Sequence, residues 1–267
     1  MLTKGRNFAI IGGLIVGGSI VAYIFLSFAI SKLQLKFKDR AAAATILASV
    51  LKDTLRSTVL QTPAYNKEQK NKADIIVLGI PRGGVIIADI VARKLSADFD
   101  IIIGRKLCSP DSKENAIGAI AEDGTTAYLN QRLTNSLQIS SAYIKKEKSD
   151  QLKEIKRKAA MYRDRAMRRR RLKLKGRTVI LVDDGIATGA TITAAIRWIK
   201  RQEPKHLIVA VPVVPKQVVN LLKKEAIDAI QFITSPSSSN FISVGQFYQN
   251  FNPITDEQVI GVMRNNT

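Results

Sequence analysis

The chain has 267 residues, an apolar fraction of 46% and a formal net charge of +20, with a sequence pI of about 10.2. This length suits one α/β domain with appendages, and the charge predicts an anionic partner such as a phosphorylated substrate, an acidic lipid or a nucleic acid. The single cysteine, Cys108, excludes an internal disulfide and a cysteine-built metal cluster, which fits a reducing compartment.

A run of 23 residues without a charged side chain, residues 8–30, lies close to the start of the chain. As a helix it would be about 34 Å long, which is enough to span a hydrocarbon core of about 30 Å. A cleavable signal peptide would have a shorter apolar run and a clear small-residue cleavage site. The sequence therefore predicts a single-pass membrane anchor.

The charges beside this run predict its orientation. More basic residues follow the run than precede it, which places the rest of the chain in the cytoplasm and suits contact with anionic lipid. The basic residues after the run are Lys32, Lys36, Lys38 and Arg40, and those before it are Lys4 and Arg6. Within the run, Gly13 and Gly17 have the spacing that lets two membrane helices approach closely, so a homodimer is left open. Simple helix packing, or no role, is the more ordinary interpretation.

From residue 37 onward, β-strand patterns alternate with helical patterns. The alternation predicts an α/β domain with a parallel sheet over residues 37–267, preceded by an anchor segment over residues 1–36. The predicted strands are 75–80, 99–104, 178–182, 207–211 and 229–233, and the predicted helices are 37–60, 85–95, 192–200 and 216–225.

The first predicted strand ends in the sequence Pro81-Arg82-Gly83-Gly84. Glycines allow backbone geometry that other residues do not reach, and a guanidinium can bind phosphate oxygens through two hydrogen bonds. A plain Pro-x-Gly-Gly turn is the alternative interpretation, so this motif is weak by itself.

The second predicted strand ends in two bases, Arg105 and Lys106. They would either neutralise an anion or lie solvated at the strand end. A polar loop at 108–115 and a hairpin turning at Asp123-Gly124 are predicted to follow. Cys108 has no histidine near it in the sequence, so no nucleophilic role is predicted, and the single histidine is expected to be structural.

Residues 141–177 are the most basic segment, with eight Lys, eight Arg and four acidic residues. Apolar residues recur there at partial helical spacing, which predicts a long helix with a thin apolar stripe. Three interpretations stay open: a solvated helix face, contact with anionic lipid, and nucleic-acid binding. Few aromatic residues interleave with the bases, so a stacking platform for nucleic acid is not expected.

The most informative stretch runs from Thr178 to Thr191. Its first five residues are β-branched or aliphatic, which predicts a strand buried on both faces. Two carboxylates, Asp183 and Asp184, end the strand. A loop of mostly small and hydroxyl-bearing residues then leads into a helix, and this loop is Gly185-Ile186-Ala187-Thr188-Gly189-Ala190-Thr191.

The residue types of this stretch predict a sugar phosphate as the ligand. Backbone N–H groups of a small-residue loop can converge on an anion at a helix N-terminus, and the hydroxyls of Thr188 and Thr191 would add donors. The carboxylates would repel that anion, so their natural partners are the vicinal hydroxyls of a sugar or a divalent metal. No Gly-Lys-Ser/Thr follows and no G-x-G-x-x-G is present, which excludes the P-loop and dinucleotide fingerprints.

The order of an aliphatic strand, an acidic pair and Ala-Thr-Gly-Ala-Thr resembles the phosphoribosyl diphosphate (PRPP) signature of type I phosphoribosyltransferases. Further segments resemble, in collinear order, a stand-alone family of bacterial and archaeal phosphoribosyltransferases. These segments are 79–84, 104–107, 116–122 and 241–251. The apolar run at 8–30 lies outside the resemblance, and Phe247 stands where the family more often carries Trp.

This resemblance implies a doubly wound α/β fold with a small hood around residues 236–252 and a ligand at the carboxyl ends of the strands. It implies transfer of the phosphoribosyl group of PRPP·Mg²⁺ to a nitrogenous acceptor, with release of pyrophosphate. By this resemblance, Ala187–Thr191 would bind the 5′-phosphate. Asp183 and Asp184 would bind the ribose hydroxyls and would contact Mg²⁺ directly or indirectly. The pyrophosphate would be bound by Arg82, Gly83, Gly84 and Lys106. Phe247 and Tyr248 would either cover the acceptor base or pack against the sheet.

Two other classes of function stay open. A membrane-tethered regulator would bind PRPP or a nucleotide but release no pyrophosphate. A nucleic-acid-binding protein that uses the basic helix would bind with a steep dependence on salt.

Overall fold

The computed structural model of the protein describes residues 36–59, 74–163 and 173–266. The predicted anchor at 8–30 lies outside the described residues. Among the described helices, none is both long enough and apolar enough to cross a bilayer. The chain divides into two units, Met1–Lys36 and Phe37–Thr267, and nearly all described residues belong to the second unit.

Five parallel strands form the sheet at the centre of this unit. They are Ile75–Gly79 (β1), Asp98–Ile101 (β2), Thr178–Val182 (β6), His206–Val213 (β7) and Ala229–Thr234 (β8). Their order is β2-β1-β6-β7-β8, and every pairing is parallel. All five residues of β6 are buried, because strands lie on both sides of it and helices lie on both faces. The predicted α/β class with a parallel sheet is confirmed.

Helices cover both faces of the sheet. Arg40–Val59 (α1) and Gly83–Leu95 (α2) pack on one face, whereas Ala190–Lys200 (α5) and Lys216–Lys223 (α6) pack on the other. Since α2 follows β1 and α5 follows β6, the chain leaves two neighbouring strands toward opposite faces. Such a switch point opens a crevice at the carboxyl ends of the strands, where ligands of open α/β sheets bind.

A second, antiparallel sheet follows β2 in the sequence. Its strands are Arg105–Ser109 (β3), Ser112–Ile120 (β4) and Ala127–Leu129 (β5), in that spatial order. The predicted hairpin is present as β4 and β5. The predicted loop at 108–115 is wrong, because Ser109 pairs with Ser112 across a tight turn. The ends of β3 and β4 at this turn are polar and lack an alternation of apolar and polar residues, so the sequence pattern did not indicate strands there.

In the basic segment, residues Ser141–Tyr162 form a helix (α4), as predicted, whereas residues 173–177 form a turn that leads into β6. The apolar stripe of α4 packs against Asp256–Asn265 (α7), with Tyr162 of α4 and Met263 of α7 both buried. A short helix, Gln131–Ser136 (α3), precedes α4. We did not predict α7, although Thr255 and Gln258 form the capping box that marks a helix start. Residues 164–172 of the basic segment lie outside the described residues.

Candidate active site

The loops after β1 and β6 meet at the switch point of the sheet. Gly83 and Gly84 begin α2 and lie directly against the acidic pair. A Cβ atom at Gly83 would overlap the carboxylate of Asp184, and one at Gly84 would lie 2.9 Å from Cα of Asp183. Glycine is therefore required at both positions, and two motifs far apart in the sequence form one site.

The two carboxylates have different partners. Oδ1 of Asp183 accepts a hydrogen bond from the backbone N–H of Asp184 at 2.8 Å. Oδ2 of Asp184 accepts from Nε of Arg40 at 2.7 Å, and its backbone carbonyl accepts from the Tyr248 hydroxyl at 2.6 Å. Asp184 is thus held through both its side chain and its backbone.

Burial raises the pKa of both carboxyl groups. The pKa of Asp183 lies well above its usual range because burial, and then the neighbouring Asp184, disfavour the charged form, while Arg40 and Lys106 oppose the shift. Burial also raises the pKa of Asp184, and the Arg40 guanidinium acts in the opposite direction. Perturbed carboxyl groups in a crevice are typical of functional sites, where a ligand supplies the hydroxyl or cation that the ionised form needs.

The loop predicted to bind phosphate, Ala187–Thr191, lies at the N-terminus of α5. Gly189 precedes the helix with φ of 81°, a left-handed conformation that favours glycine. Thr188 is exposed and Thr191 is half-buried. The first N–H groups of a helix lack partners within the helix, and the helix dipole favours negative charge there, so this end of α5 suits a phosphate.

A cleft of about 590 Å³ lies beside this loop. Asp183, Lys106 and Thr191 all line it, although they come from three different segments of the chain. Gly104 allows the close approach of Thr191, since a Cβ atom there would lie 2.8 Å from Cγ2 of that threonine. A carboxyl group, an ammonium group and a hydroxyl therefore share a cavity of a size suited to a small ligand.

Helix α4 supplies a wall of the same cleft, which none of the three interpretations of the basic segment included. Tyr143, Glu147 and Gln151 line the cleft at helical spacing. The Tyr143 hydroxyl donates to the Cys108 carbonyl at 3.1 Å, and Oε1 of Glu147 accepts from Cys108 N–H at 3.2 Å. Oε1 of Gln151 accepts from Nε of Arg105 at 3.0 Å. The recurrence of polar side chains every fourth residue is the signal that could have indicated this wall.

Arg82 lies at the N-cap of α2, after a cis Pro81–Arg82 peptide bond, and is not among the described residues that line the cleft. Its side chain is 49% exposed, with Nη1 3.9 Å from Oδ1 of Asp256. Asp256 also pairs with Lys158 and accepts from the Tyr162 hydroxyl at 2.6 Å. The pyrophosphate role of the Arg82 side chain stays a prediction.

Phe247 and Tyr248, for which covering an acceptor base and packing against the sheet were both left open, are not among the described residues that line the cleft. They are 9% and 3% exposed, and the Tyr248 ring centroid lies 5.3 Å from that of Phe37. Phe247 stacks on Phe241 at 6.1 Å. In this structure both rings pack against the protein, which agrees with the second interpretation, and a role in covering the base stays a prediction. The described residues of the proposed hood, 236–252, likewise contribute nothing to the cleft lining.

Arg40 is one of the basic residues that follow the predicted anchor in the sequence, and the orientation that they indicate stays a prediction. Its side chain is 9% exposed and bonded to Asp184. No local pattern distinguishes it from its exposed basic neighbours, because its partner is 144 positions away.

Comparisons with known proteins agree with this geometry. The family model described as "Phosphoribosyl transferase domain" matches residues 56–247. Two Mycobacterium tuberculosis relatives, from strains CDC 1551 and H37Rv, are each 36% identical to the chain over 189 residues. Their names are "Putative phosphoribosyl transferase MT0597" and "Putative phosphoribosyl transferase Rv0571c". Each match covers 71% of this chain and 41% of the relative, so the chain spans less than half the length of these proteins.

A solved structure is similar over nearly its whole length. It is the protein TT1426 from Thermus thermophilus, which is 32% identical, has a TM-score of 0.64, and is matched over 86% of this chain and 98% of its own. The family model covers more than half of this chain and includes both glycine-rich loops and the acidic pair. The chain belongs to the phosphoribosyl transferase domain family.

Proposed function

We propose that this protein transfers the phosphoribosyl group of PRPP to a nitrogenous acceptor and releases pyrophosphate, with Mg²⁺ present. The observation that carries the proposal is the convergence of Asp183, Lys106 and Thr191 on one cleft at the switch point of the sheet. Membership of the phosphoribosyl transferase domain family supports it.

The ligand would lie across the loops after β1 and β6. Its 5′-phosphate would accept hydrogen bonds from the start of α5 at Ala187–Thr191. Its ribose hydroxyls would donate to the carboxylates of Asp183 and Asp184. Since Nε of Arg40 donates to Oδ2 of Asp184, the sugar would use the other oxygen of that carboxylate, Oδ1. The pyrophosphate would lie toward Lys106 and the glycines that begin α2.

In the proposed reaction, the bond between C1′ and the pyrophosphate oxygen breaks and a bond from C1′ to the acceptor nitrogen forms. The pyrophosphate leaves with the bonding electron pair, and the surplus proton of the acceptor passes to solvent. The transition state is oxocarbenium-like, so the protein contributes mainly by orienting the reactants and by stabilising charge on the leaving group. Lys106 is the cleft residue suited to the second task.

The donor set fits Mg²⁺ together with substrate oxygens. Among the described residues, no group of three or more His, Cys, Asp or Glu side chains is placed to hold a metal. Mg²⁺, however, usually takes only one or two protein carboxylates and completes its shell with substrate phosphates and water. Asp183, directly or through water, is the residue that would hold it, with Asp184 beside it. When bound, the ion would neutralise charge on the pyrophosphate.

The double variant Asp183→Asn/Asp184→Asn tests this proposal. We expect pyrophosphate release from PRPP, measured across a panel of purine, pyrimidine and simple amine acceptors, to fall by about 100-fold or more, because the loss of even one preorganised electrostatic contact in an active site commonly costs about that much. The control is Asp150→Asn, which changes an exposed carboxylate on α4. Unchanged release in a folded double variant would contradict the assignment, and PRPP binding without release for any acceptor would favour the regulator.

A further inference from the structure

Arg40 has three contacts around the acidic pair. Its Nε donates to Oδ2 of Asp184 at 2.7 Å, and its Nη1 donates to the Asn252 carbonyl at 2.9 Å. Its guanidinium carbon lies 4.0 Å from the centroid of the Phe251 ring. A buried guanidinium is usually retained only when it is paired, and here it donates to a carboxylate and to a carbonyl and lies over an aromatic ring.

The backbone around Arg40 is fixed independently of its side chain. Phe37 N–H donates to the Phe247 carbonyl at 2.8 Å, and Gln249 N–H donates to the Phe37 carbonyl at 2.7 Å. Oδ1 of Asp39 accepts from Ala42 N–H at 2.8 Å in the first turn of α1. The start of the domain is therefore tied to the 247–252 segment, and Arg40 projects from this junction to the acidic pair.

Asp184 is enclosed from several elements. Arg40 of α1 binds one carboxylate oxygen, Gly83 of α2 lies against the same carboxylate, and Tyr248 binds the backbone carbonyl. Removal of the guanidinium would leave Asp184 without its charged partner in a buried position. We expect the carboxylate to rotate toward solvent or to bind water instead, because a buried charge without a partner is unstable.

We propose that Arg40 is a positioning residue for the sugar site. From the first turn of α1, Arg40 binds Oδ2 of Asp184 and so fixes the orientation of the carboxylate. The other oxygen, Oδ1, would then be oriented toward the ligand. For the identity of the ligand this inference rests on the proposed function. Removal of partners that orient a site residue commonly costs about 10–100-fold in affinity or activity, and we expect an effect in that range.

Three single variants test the proposal by the affinity for PRPP·Mg²⁺, measured by calorimetry, and by the kinetics of pyrophosphate release. Arg40→Met should weaken binding and raise KM by about 10–100-fold with a smaller change in kcat, since the side chains of Lys106 and Asp183 are themselves retained. Arg40→Lys should recover part of the lost affinity, because lysine keeps the positive charge but cannot reproduce the two separate hydrogen bonds of the guanidinium or its contact with the Phe251 ring. Lys52→Met, which changes an exposed base on the same helix, is the matched control and should leave both quantities unchanged.

The double variant Arg40→Met/Asp184→Asn separates positioning from simple stabilisation of the fold. It removes both charges together, so it should recover most of the thermal midpoint lost in Arg40→Met. If Arg40 positions a ligand-binding carboxylate, PRPP affinity stays low despite the recovered midpoint. Recovery of affinity together with stability would overturn the proposal.

Crystal structures of the wild type and of Arg40→Met test the same inference without a ligand. We expect the Asp184 carboxylate to leave its wild-type orientation in the variant, with Asp183 and the Ala187–Thr191 loop unchanged. An Asp184 side chain that keeps its position would overturn the proposal. If the wild type neither binds PRPP nor releases pyrophosphate, the proposed function fails, and this comparison still decides whether Arg40 positions Asp184.

Discussion

At the scale of single residues, the contact between Gly83 and Asp184 sets which residue types the loop after β1 can carry. Gly83 has no side chain, and the space that a Cβ atom would need is filled by the Asp184 carboxylate. Arg40 approaches the same carboxylate from α1. The acidic residue is therefore confined by packing on one side and by charge on another, and a change to either should be measured as a loss of ligand affinity.

Gly83→Ala should disrupt the site through packing alone. The added methyl group must displace the carboxylate or the start of α2, at a cost of about 1–3 kcal/mol for an overpacked position. We expect the thermal midpoint to fall by several degrees and pyrophosphate release to fall at least tenfold, as measured by calorimetry and by a coupled assay.

Gly261→Ala is the control for this prediction. Gly261 lies in α7 with nothing within 4 Å of an added Cβ atom, so alanine there should stabilise the helix by about 0.5–1 kcal/mol. Wild-type activity in a folded Gly83→Ala protein would show that the acidic pair tolerates movement, contrary to the geometry described above.

At the scale of elements, Asp256 joins α4 and α7 to the loop after β1. It lies in the first turn of α7, pairs with Lys158 and Tyr162 of α4, and lies 3.9 Å from Arg82. The hydrogen bond from Lys158, and then that from Tyr162, lower the pKa of Asp256 below its usual value. This carboxylate therefore contributes to stability in its charged form.

Asp256→Asn should lower the thermal midpoint at pH 7 by a few degrees, and the difference should shrink in acid. The sign follows from the lowered pKa: the contribution is present above the unfolded pKa of about 4 and is lost as the pH falls through the folded pKa. Thermal unfolding from pH 3 to pH 7 measures it. Asp150→Asn, at an exposed pair on α4, should change the midpoint little. If Asp256→Asn lowers the thermal midpoint equally at pH 3 and at pH 7, the effect comes from packing and not from the charge of the carboxylate.

At the scale of the whole molecule, attachment to a membrane through residues 8–30 and a cytoplasmic location stay predictions. The full chain should remain in the membrane fraction after an alkaline wash, because a helix of 23 uncharged, mostly apolar residues is long enough to span the hydrocarbon core. A chain that starts at residue 36 should be released. If this shorter chain stays attached to the membrane and salt releases it, the basic segment at 141–177 is responsible for membrane binding.

Features of the fold that depend on neighbouring residues were easier to predict than features that depend on residues far apart in the sequence. The strand at 178–182, the acidic pair and the loop that begins α5 were predictable, because each depends on residue types that are adjacent in the sequence. The β3–β4 pairing was not predicted, because the residues around its turn at 109–115 are mostly polar. The start of α7 did carry local signals, a capping box followed by apolar residues at helical spacing, so this helix was predictable from the sequence.

The sequence by itself determined the class of fold and the residue types of the two loops that meet at the switch point, and it predicts a sugar phosphate as their ligand. Tertiary structure alone decided that Arg40 binds Asp184, that α4 forms a wall of the cleft, and that the buried Tyr248 donates to the Asp184 carbonyl. The physical reason is that an amphipathic pattern specifies which face of an element is buried but not which distant element covers it. Contacts between charged groups far apart in the chain leave no periodic trace in the sequence.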